Sequence, residues 1–130
     1  MGNGNPDQFN ANTTFNNNGS SRIYFAHSHS GQTTTFAADL TLNSNKTGGA
    51  DAWSYLITEG ANTNISVAGN FTINCSGALQ SNHRILQGAG TTASFGGDVA
   101  VNLTNTHAST NIQMGNYRNY NLQWKYLCCE

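Results

Sequence analysis

One eight-residue pattern recurs three times without a gap, and it constrains the fold more than any other feature of the chain. Phe36-Ala37-Ala38-Asp39-Leu40-Thr41-Leu42-Asn43 matches Val67-Ala68-Gly69-Asn70-Phe71-Thr72-Ile73-Asn74, and both match Phe95-Gly96-Gly97-Asp98-Val99-Ala100-Val101-Asn102. The shared pattern is apolar, small, small, Asp/Asn, apolar, Thr/Ala, apolar, Asn, at spacings of 31 and then 28 residues. A second block precedes each copy: Ile23-Tyr24-Phe25-Ala26, Tyr55-Leu56-Ile57-Thr58 and Arg84-Ile85-Leu86-Gln87, followed within a few residues by Gly31, Gly60 or Gly88. A degenerate fourth copy runs from Asn111-Ile112-Gln113-Met114-Gly115 to Leu122-Gln123-Trp124. Self-similarity at a fixed period of this length marks stacked repeats. The organisation this predicts is an Asn-rich N-terminal cap or flexible tail over 1–20, then repeats at about 21–52, 53–82, 83–110 and 111–124, and a C-terminal tail over 125–130.

Each copy reads as strands. In Leu40-Thr41-Leu42, Phe71-Thr72-Ile73 and Val99-Ala100-Val101 the outer residues face one way and the middle one the other. The small pairs Ala37-Ala38, Ala68-Gly69 and Gly96-Gly97 suit a tight bend between short strands. Helix signals are nearly absent. A thirty-residue unit of short strands cannot cover its own apolar face, whereas stacking copies in register pairs each backbone with the next and closes a core. The predicted fold class is therefore all-β, a parallel β-helix (β-solenoid) of about three to four coils. A two-sheet β-sandwich is the alternative, since it also has short strands at regular spacing, but sandwiches do not normally repeat one pattern three times.

The composition has a physical cause in such a stack. Charged residues are only 8% of the chain, with five basic and six acidic side chains. Like charges stacked at ~5 Å repel by about 0.8 kcal/mol per pair even in water. Neutral Asn can instead hydrogen-bond along a column. Asn43, Asn74 and Asn102 are the expected structural ladder. Asp39, Asn70 and Asp98 form the expected turn column, where either side chain can bond turn backbone.

On these aligned copies, the chain resembles the right-handed β-helices of autotransporter passengers, filamentous-haemagglutinin-type adhesins and pectate-lyase-like proteins. The resemblance spans roughly residues 21–110 and is one of architecture and composition rather than of a diagnostic motif. It implies surface exposure, adhesion and contact with host or cell-surface glycan, in a fragment of a longer adhesin or a fibre subunit that self-associates end to end.

Several function classes are disfavoured. Arg22, Lys46, Arg84, Arg118 and Lys125 are scattered, so no basic patch for nucleic acid exists in the sequence. No run approaches eighteen apolar residues, so no membrane-spanning helix is expected. The first residues lack the basic and apolar regions of a signal peptide. Aromatic residues at 10%, with many Val, Ile and Thr, argue against disorder of the whole chain.

No catalytic, cofactor-binding or metal-ligating residue is assigned, and no cofactor is expected. Asp39 and Asp98 would lie two coils apart, ~9.6 Å by strand spacing, near the separation of inverting glycosidase carboxylates. A turn role is the better reading of them, since either Asp or Asn can bond turn backbone. His27 and His29 alternate as a metal pair would, without the further ligands that zinc wants. His83 and His107 stand alone and read as solvent-facing. Cys75, Cys128 and Cys129 allow one disulfide to the tail or three free thiols, and no Cys/His nucleophile arrangement is visible. Sequons at Asn12, Asn18, Asn45, Asn64, Asn70, Asn74 and Asn102 fit the composition alone. Tyr117, Tyr120, Trp124 and Tyr126 form an aromatic cluster, read as an end cap or a contact surface. The expected function is that of a non-catalytic, extracellular structural or adhesive surface module. The alternatives are a carbohydrate- or ice-binding solenoid presenting Thr33-Thr34-Thr35, Thr41, Thr72 and Thr91-Thr92, and a pectate-lyase-like enzyme cleaving glycans.

Overall fold

The computed structural model describes residues 5–25, 31–45, 53–58, 60–76, 82–86, 88–104 and 112–114, with Trp53, Gln113 and Met114 described by backbone alone. Among them are twelve strands and no helix: β1 (Gln8–Phe9), β2 (Thr13–Asn17), β3 (Ile23–Phe25), β4 (Thr33–Phe36), β5 (Leu40–Ser44), β6 (Trp53–Ile57), β7 (Asn64–Val67), β8 (Phe71–Ser76), β9 (Asn82–Ile85), β10 (Thr92–Phe95), β11 (Val99–Thr104) and β12 (Ile112–Met114). They form three four-stranded sheets in the orders β1-β4-β7-β10, β2-β5-β8-β11 and β3-β6-β9-β12, here sheets A, B and C. Every pairing is parallel. Each coil thus contributes one strand to each sheet, and four coils stack. This is a parallel β-helix, and the sandwich alternative falls with the parallel pairing.

The repeat sets the register. Leu40, Phe71 and Val99 pair in one column and Leu42, Ile73 and Val101 in another. Their side chains alternate into the stack, so Leu40, Leu42, Phe71 and Ile73 are fully buried. Each buried side chain of this size is worth roughly 1.5–3 kcal/mol in apolar transfer. Aromatic rings stack along the same direction: Phe9 lies 4.6 Å from Phe36 at 3°, and Phe71 lies 4.9 Å from Phe95 at 13°.

A first coil precedes the aligned copies. Of the segment expected as a cap or tail, β1 pairs with β4 and β2 with β5, placing Asn16 against Asn43. Phe9-Asn10-Ala11-Asn12-Thr13-Thr14-Phe15-Asn16 is the same pattern weakened, with Asn10 at a small position and Thr13 at an apolar one. Asn10 is exposed and Thr13 only half-buried, so these polar replacements cost little there.

In sheet C, Ile23, Tyr55 and His83 share a column, and Phe25, Ile57 and Ile85 the next. The third copy therefore begins at His83, one residue before the Arg84 of the sequence alignment. A slip of one residue would turn Ile85 away from the core, and an irregularity between Trp53 and Tyr55 absorbs the offset. The glycine following each block is corrected likewise. Carrying the sheet A register back two residues stacks Gly31 with Asn62 and Gly90, not with Gly60 and Gly88. All three have positive φ, +76°, +54° and +70°, so the corner from sheet C to sheet A needs a left-handed residue in each coil.

The bend between sheets A and B explains its small residues by proximity to the coil beneath. A Cβ on Gly69 would approach the Asp39 carboxylate, and one on Gly97 would approach the Asn70 side chain and the Gly69 backbone.

One core position is imperfect. Thr34 is buried on the inner side of sheet A, beside Ile65, and its hydroxyl has no hydrogen-bond partner among the described residues. A buried unsatisfied hydroxyl costs about 1 kcal/mol or more. Thr34→Val should therefore raise the midpoint of thermal unfolding by about 3–5 °C, measured by circular dichroism. An unchanged or lower midpoint would show that the hydroxyl is satisfied.

Candidate functional surface

The outer faces of sheets A and B carry the most regular chemistry in the molecule. On sheet B, alternation points Thr14, Thr41, Thr72 and Ala100 outward as one column, and Asn16, Asn43, Asn74 and Asn102 as the next. The asparagines are joined edge to edge. Asn43 Nδ2 donates to Asn16 Oδ1 at 2.8 Å, Asn74 Nδ2 to Asn43 Oδ1 at 2.8 Å, and Asn102 Nδ2 to Asn74 Oδ1 at 2.7 Å. Asn43, Asn74 and Asn102 thus share one column, and Asn16 extends it. Every amide points its donor toward the first coil, so the ladder has a direction.

Sheet A repeats the theme with hydroxyls. Thr33, Asn64 and Thr92 form one outward column, and Gln8, Thr35, Ser66 and Ser94 another. Thr92 Oγ1 donates to Asn64 Oδ1 at 2.7 Å, and Ser94 Oγ to Ser66 Oγ at 3.0 Å. None of these fifteen outward residues on the two sheets is charged. Neighbouring columns repeat ~4.8 Å across the strands and ~6.7 Å along them. The result is a flat, neutral mesh of hydroxyls and amides.

At the corner between the two sheets runs the second column, Asn12, Asp39, Asn70 and Asp98. The Asp39 N–H donates to Asn12 Oδ1 at 3.2 Å, the Asn70 N–H to Asp39 Oδ1 at 2.8 Å, and the Asp98 N–H to Asn70 Oδ1 at 2.9 Å. Each side chain caps the backbone of the next coil rather than of its own turn. Only an acceptor oxygen is required, which is why Asp and Asn alternate here. The Asp39 carboxylate is committed to this bond.

The histidine and cysteine readings change. His83, expected to face solvent, is 0% exposed and lies in the core column, its ring 5.5 Å from that of Tyr55 and at 19° to it. Its Nε2 is 2.9 Å from Cys75 Sγ. A Cys/His contact therefore exists where the sequence showed none. Cys75 follows Phe71 and Ile73 on the inner face of β8, and that alternation is the signal that would have placed it inside. Cys75 is a free thiol, 1% exposed, and burial pushes its pKa up to about 12. A protonated, enclosed thiol is the opposite of an activated nucleophile, so the pair is a packing contact.

Tyr55 ties coils together beside it. Its hydroxyl donates to the Asn43 carbonyl at 2.6 Å, with the Phe15 carbonyl also within reach at 2.9 Å. Burial holds the phenol well above its ordinary range. Asn17, also buried, donates to Ser54 Oγ at 2.9 Å, and Ser54 Oγ lies 2.8 Å from Ser44 Oγ. Sequence reasoning missed this internal polar cluster, because each residue reads locally as a loop residue.

Among the described residues no group of three or more His, Cys, Asp or Glu could hold a metal ion. His27, His29, His107, Cys128, Cys129 and the aromatic cluster Tyr117, Tyr120, Trp124 and Tyr126 lie outside the described residues. No helix of the described residues is long and apolar enough to cross a membrane. Compared with family models, curated proteins and solved structures, the chain has no match.

Two tests follow from this geometry. Asp39→Asn should leave stability within about 0.5 kcal/mol, because the acceptor oxygen persists, whereas Asp39→Ala should cost about 1 kcal/mol by removing the acceptor of the exposed Asn70 N–H. Urea unfolding measures both, and equal losses would mean that the charge matters, not the acceptor. For Cys75, the folded-state pKa is raised, so the native state holds its proton longer than the unfolded state. The stability this carries is complete below pH 9 and is lost as pH rises from 9 towards 12. Cys75→Ala should flatten that part of the alkaline unfolding profile; an unchanged slope would assign it to Tyr55.

Proposed function

We propose that this chain is a non-catalytic structural and adhesive module of an extracellular or cell-surface assembly, and that it engages a neutral glycan surface through the outer face of sheet B. One observation carries the reading: four consecutive coils present Thr14, Thr41, Thr72, Ala100 and Asn16, Asn43, Asn74, Asn102 in register, with the amides fixed by their own ladder. A side chain already held in place loses little rotamer freedom on binding, so its remaining hydrogen-bonding capacity is available at low entropic cost. Each Asn in the middle of the ladder uses its carbonyl oxygen and one N–H, which leaves its second N–H for a ligand. Threonine hydroxyls beside it donate and accept. A polysaccharide surface, rich in hydroxyls and free of charge, is the complementary chemistry.

The resemblance to passenger and haemagglutinin-type adhesins supports the same class of role, and within it the surface location. Thr14 also lengthens the hydroxyl column that Ala100 interrupts, so the same face suits an ice lattice as a second ligand. Absence of thermal hysteresis removes that second ligand without touching the first.

The test is co-sedimentation with insoluble neutral polysaccharides and with fixed cells. Binding should change less than about twofold between 0.05 and 0.5 M salt, because exposed charge pairs are what salt screens. Thr41→Arg, which places a bulky cation in the middle of the face, should weaken it at least tenfold, a loss of about 1.4 kcal/mol. Binding that is absent from every surface, or unmoved by Thr41→Arg, would overturn the assignment. Turnover of an acidic glycan would replace it with the lyase reading.

A further inference from the structure

Sheet C carries a histidine in its core column, and we infer that it makes the stack acid-labile: protonation of His83 frees β9 and uncovers Cys75. This rests on the core geometry and not on what the outer faces bind.

The imidazole is enclosed on the inner side of β9, and three other strands pack against it. From β6 the Tyr55 ring lies 5.5 Å away, close to parallel at 19°. From β8 Cys75 brings its Sγ to 2.9 Å from Nε2. From β12 Ile112 stands over it in the column. Burial keeps both titratable neighbours, the Tyr55 phenol and the Cys75 thiol, in their neutral forms. On β9 itself Arg84 alternates to the other side of the sheet and carries the same sign of charge as an imidazolium. The connection from β8 to β9, residues 77–81, has no titratable side chain.

A protonated Cys75 fixes the roles in this contact. The thiol S–H donates, Nε2 accepts, and the lone pair that accepts is the one an added proton takes. An imidazolium would turn its own N–H onto the S–H, and sulfur is a weak acceptor. The ion would also give up its hydration between Tyr55 and Ile112, which disfavours the charged form further. Both penalties disappear once β9 is free. The freed histidine takes its proton near the ordinary imidazole value of about 6.5. In acid the open form therefore binds more protons than the closed one, so stability falls as pH falls. It is whole above about pH 7 and lost progressively below about 6.5.

The backbone makes β9 the strand to yield. Its pairing with β6 is irregular between Trp53 and Tyr55. Leu86, the residue that follows it, holds a φ of +62°, a region that a bulky side chain rarely adopts. Release of β9 relaxes that residue and removes the cover of Cys75 together.

The experiment uses the full chain at pH 7 and pH 5. In urea unfolding, the folding constant of the wild type should fall about 25-fold between the two, the factor for one proton taken up at about 6.5 in the open form alone. His83→Phe keeps a ring over Tyr55 but does not titrate, and should lose less than about threefold. A second readout needs no variant. Cys75 of the wild type is labelled with dithiodipyridine, which exchanges with thiols in acid as well as at neutral pH, and is read on its own peptide by mass spectrometry. Its protection, relative to the urea-unfolded chain at the same pH, should fall by the same factor and stay below the global folding constant. A folding constant that is level from pH 7 to pH 5 overturns the proposal, as does a His83→Phe chain that keeps the wild-type loss. Protection equal to the global constant would place the loss in the whole stack and overturn the release of β9. Should His83→Phe fail to fold, the labelling of wild type decides alone.

Discussion

Everything in this molecule depends on one spacing, the ~4.8 Å between coils imposed by parallel backbone hydrogen bonds. Once strands from successive coils pair in register, each residue sits directly over its equivalent, and every side chain must be compatible with a copy of its own environment. Apolar residues gain from this, since Leu40, Phe71 and Val99 form one continuous column. Charges lose by it. The neutral outer faces of sheets A and B follow from that constraint before any ligand is considered.

The same spacing gives two columns with separate tasks. Asn16, Asn43, Asn74 and Asn102 satisfy one another side chain to side chain. Asn12, Asp39 and Asn70 satisfy the backbone of the coil that follows. The bend beside them is tight enough that Gly69 and Gly97 have no room for a Cβ. Cap and bend are therefore one device. The acceptor oxygen reaches the next coil only because the residues above it are small, and both run in a fixed direction along the stack.

The interior is less uniform than the faces. Tyr55, His83 and Cys75 bring polar atoms into the core, and Tyr55 reaches across to carbonyls of two different coils. Burial favours the neutral forms of Tyr55 and Cys75, so this cluster behaves as packing with hydrogen bonds rather than as a reactive centre. Its hydrogen bonds tie sheet C to sheet B beside the apolar core.

The sequence by itself determined the fold class, the column of Asn43, Asn74 and Asn102, and the need for Asp or Asn at 39, 70 and 98. Each is written as a local pattern repeated at one period, and stacking maps equal positions onto equal places. What only the tertiary structure decided lies where the period is broken or the contact is not local. The coil containing Asn12 and Asn16 was hidden because Asn10, exposed, and Thr13, half-buried, stand where the pattern has small and apolar residues. The placing of His83 over Tyr55 turned on a one-residue irregularity near Ser54, and a shift of one reverses which side of a strand faces the core. The meeting of Cys75 with His83, and of Asn17 with Ser54, joins different strands across the inside of the stack. No spacing along the chain encodes such a contact, because it is fixed by how far the corners carry the backbone before the next strand begins.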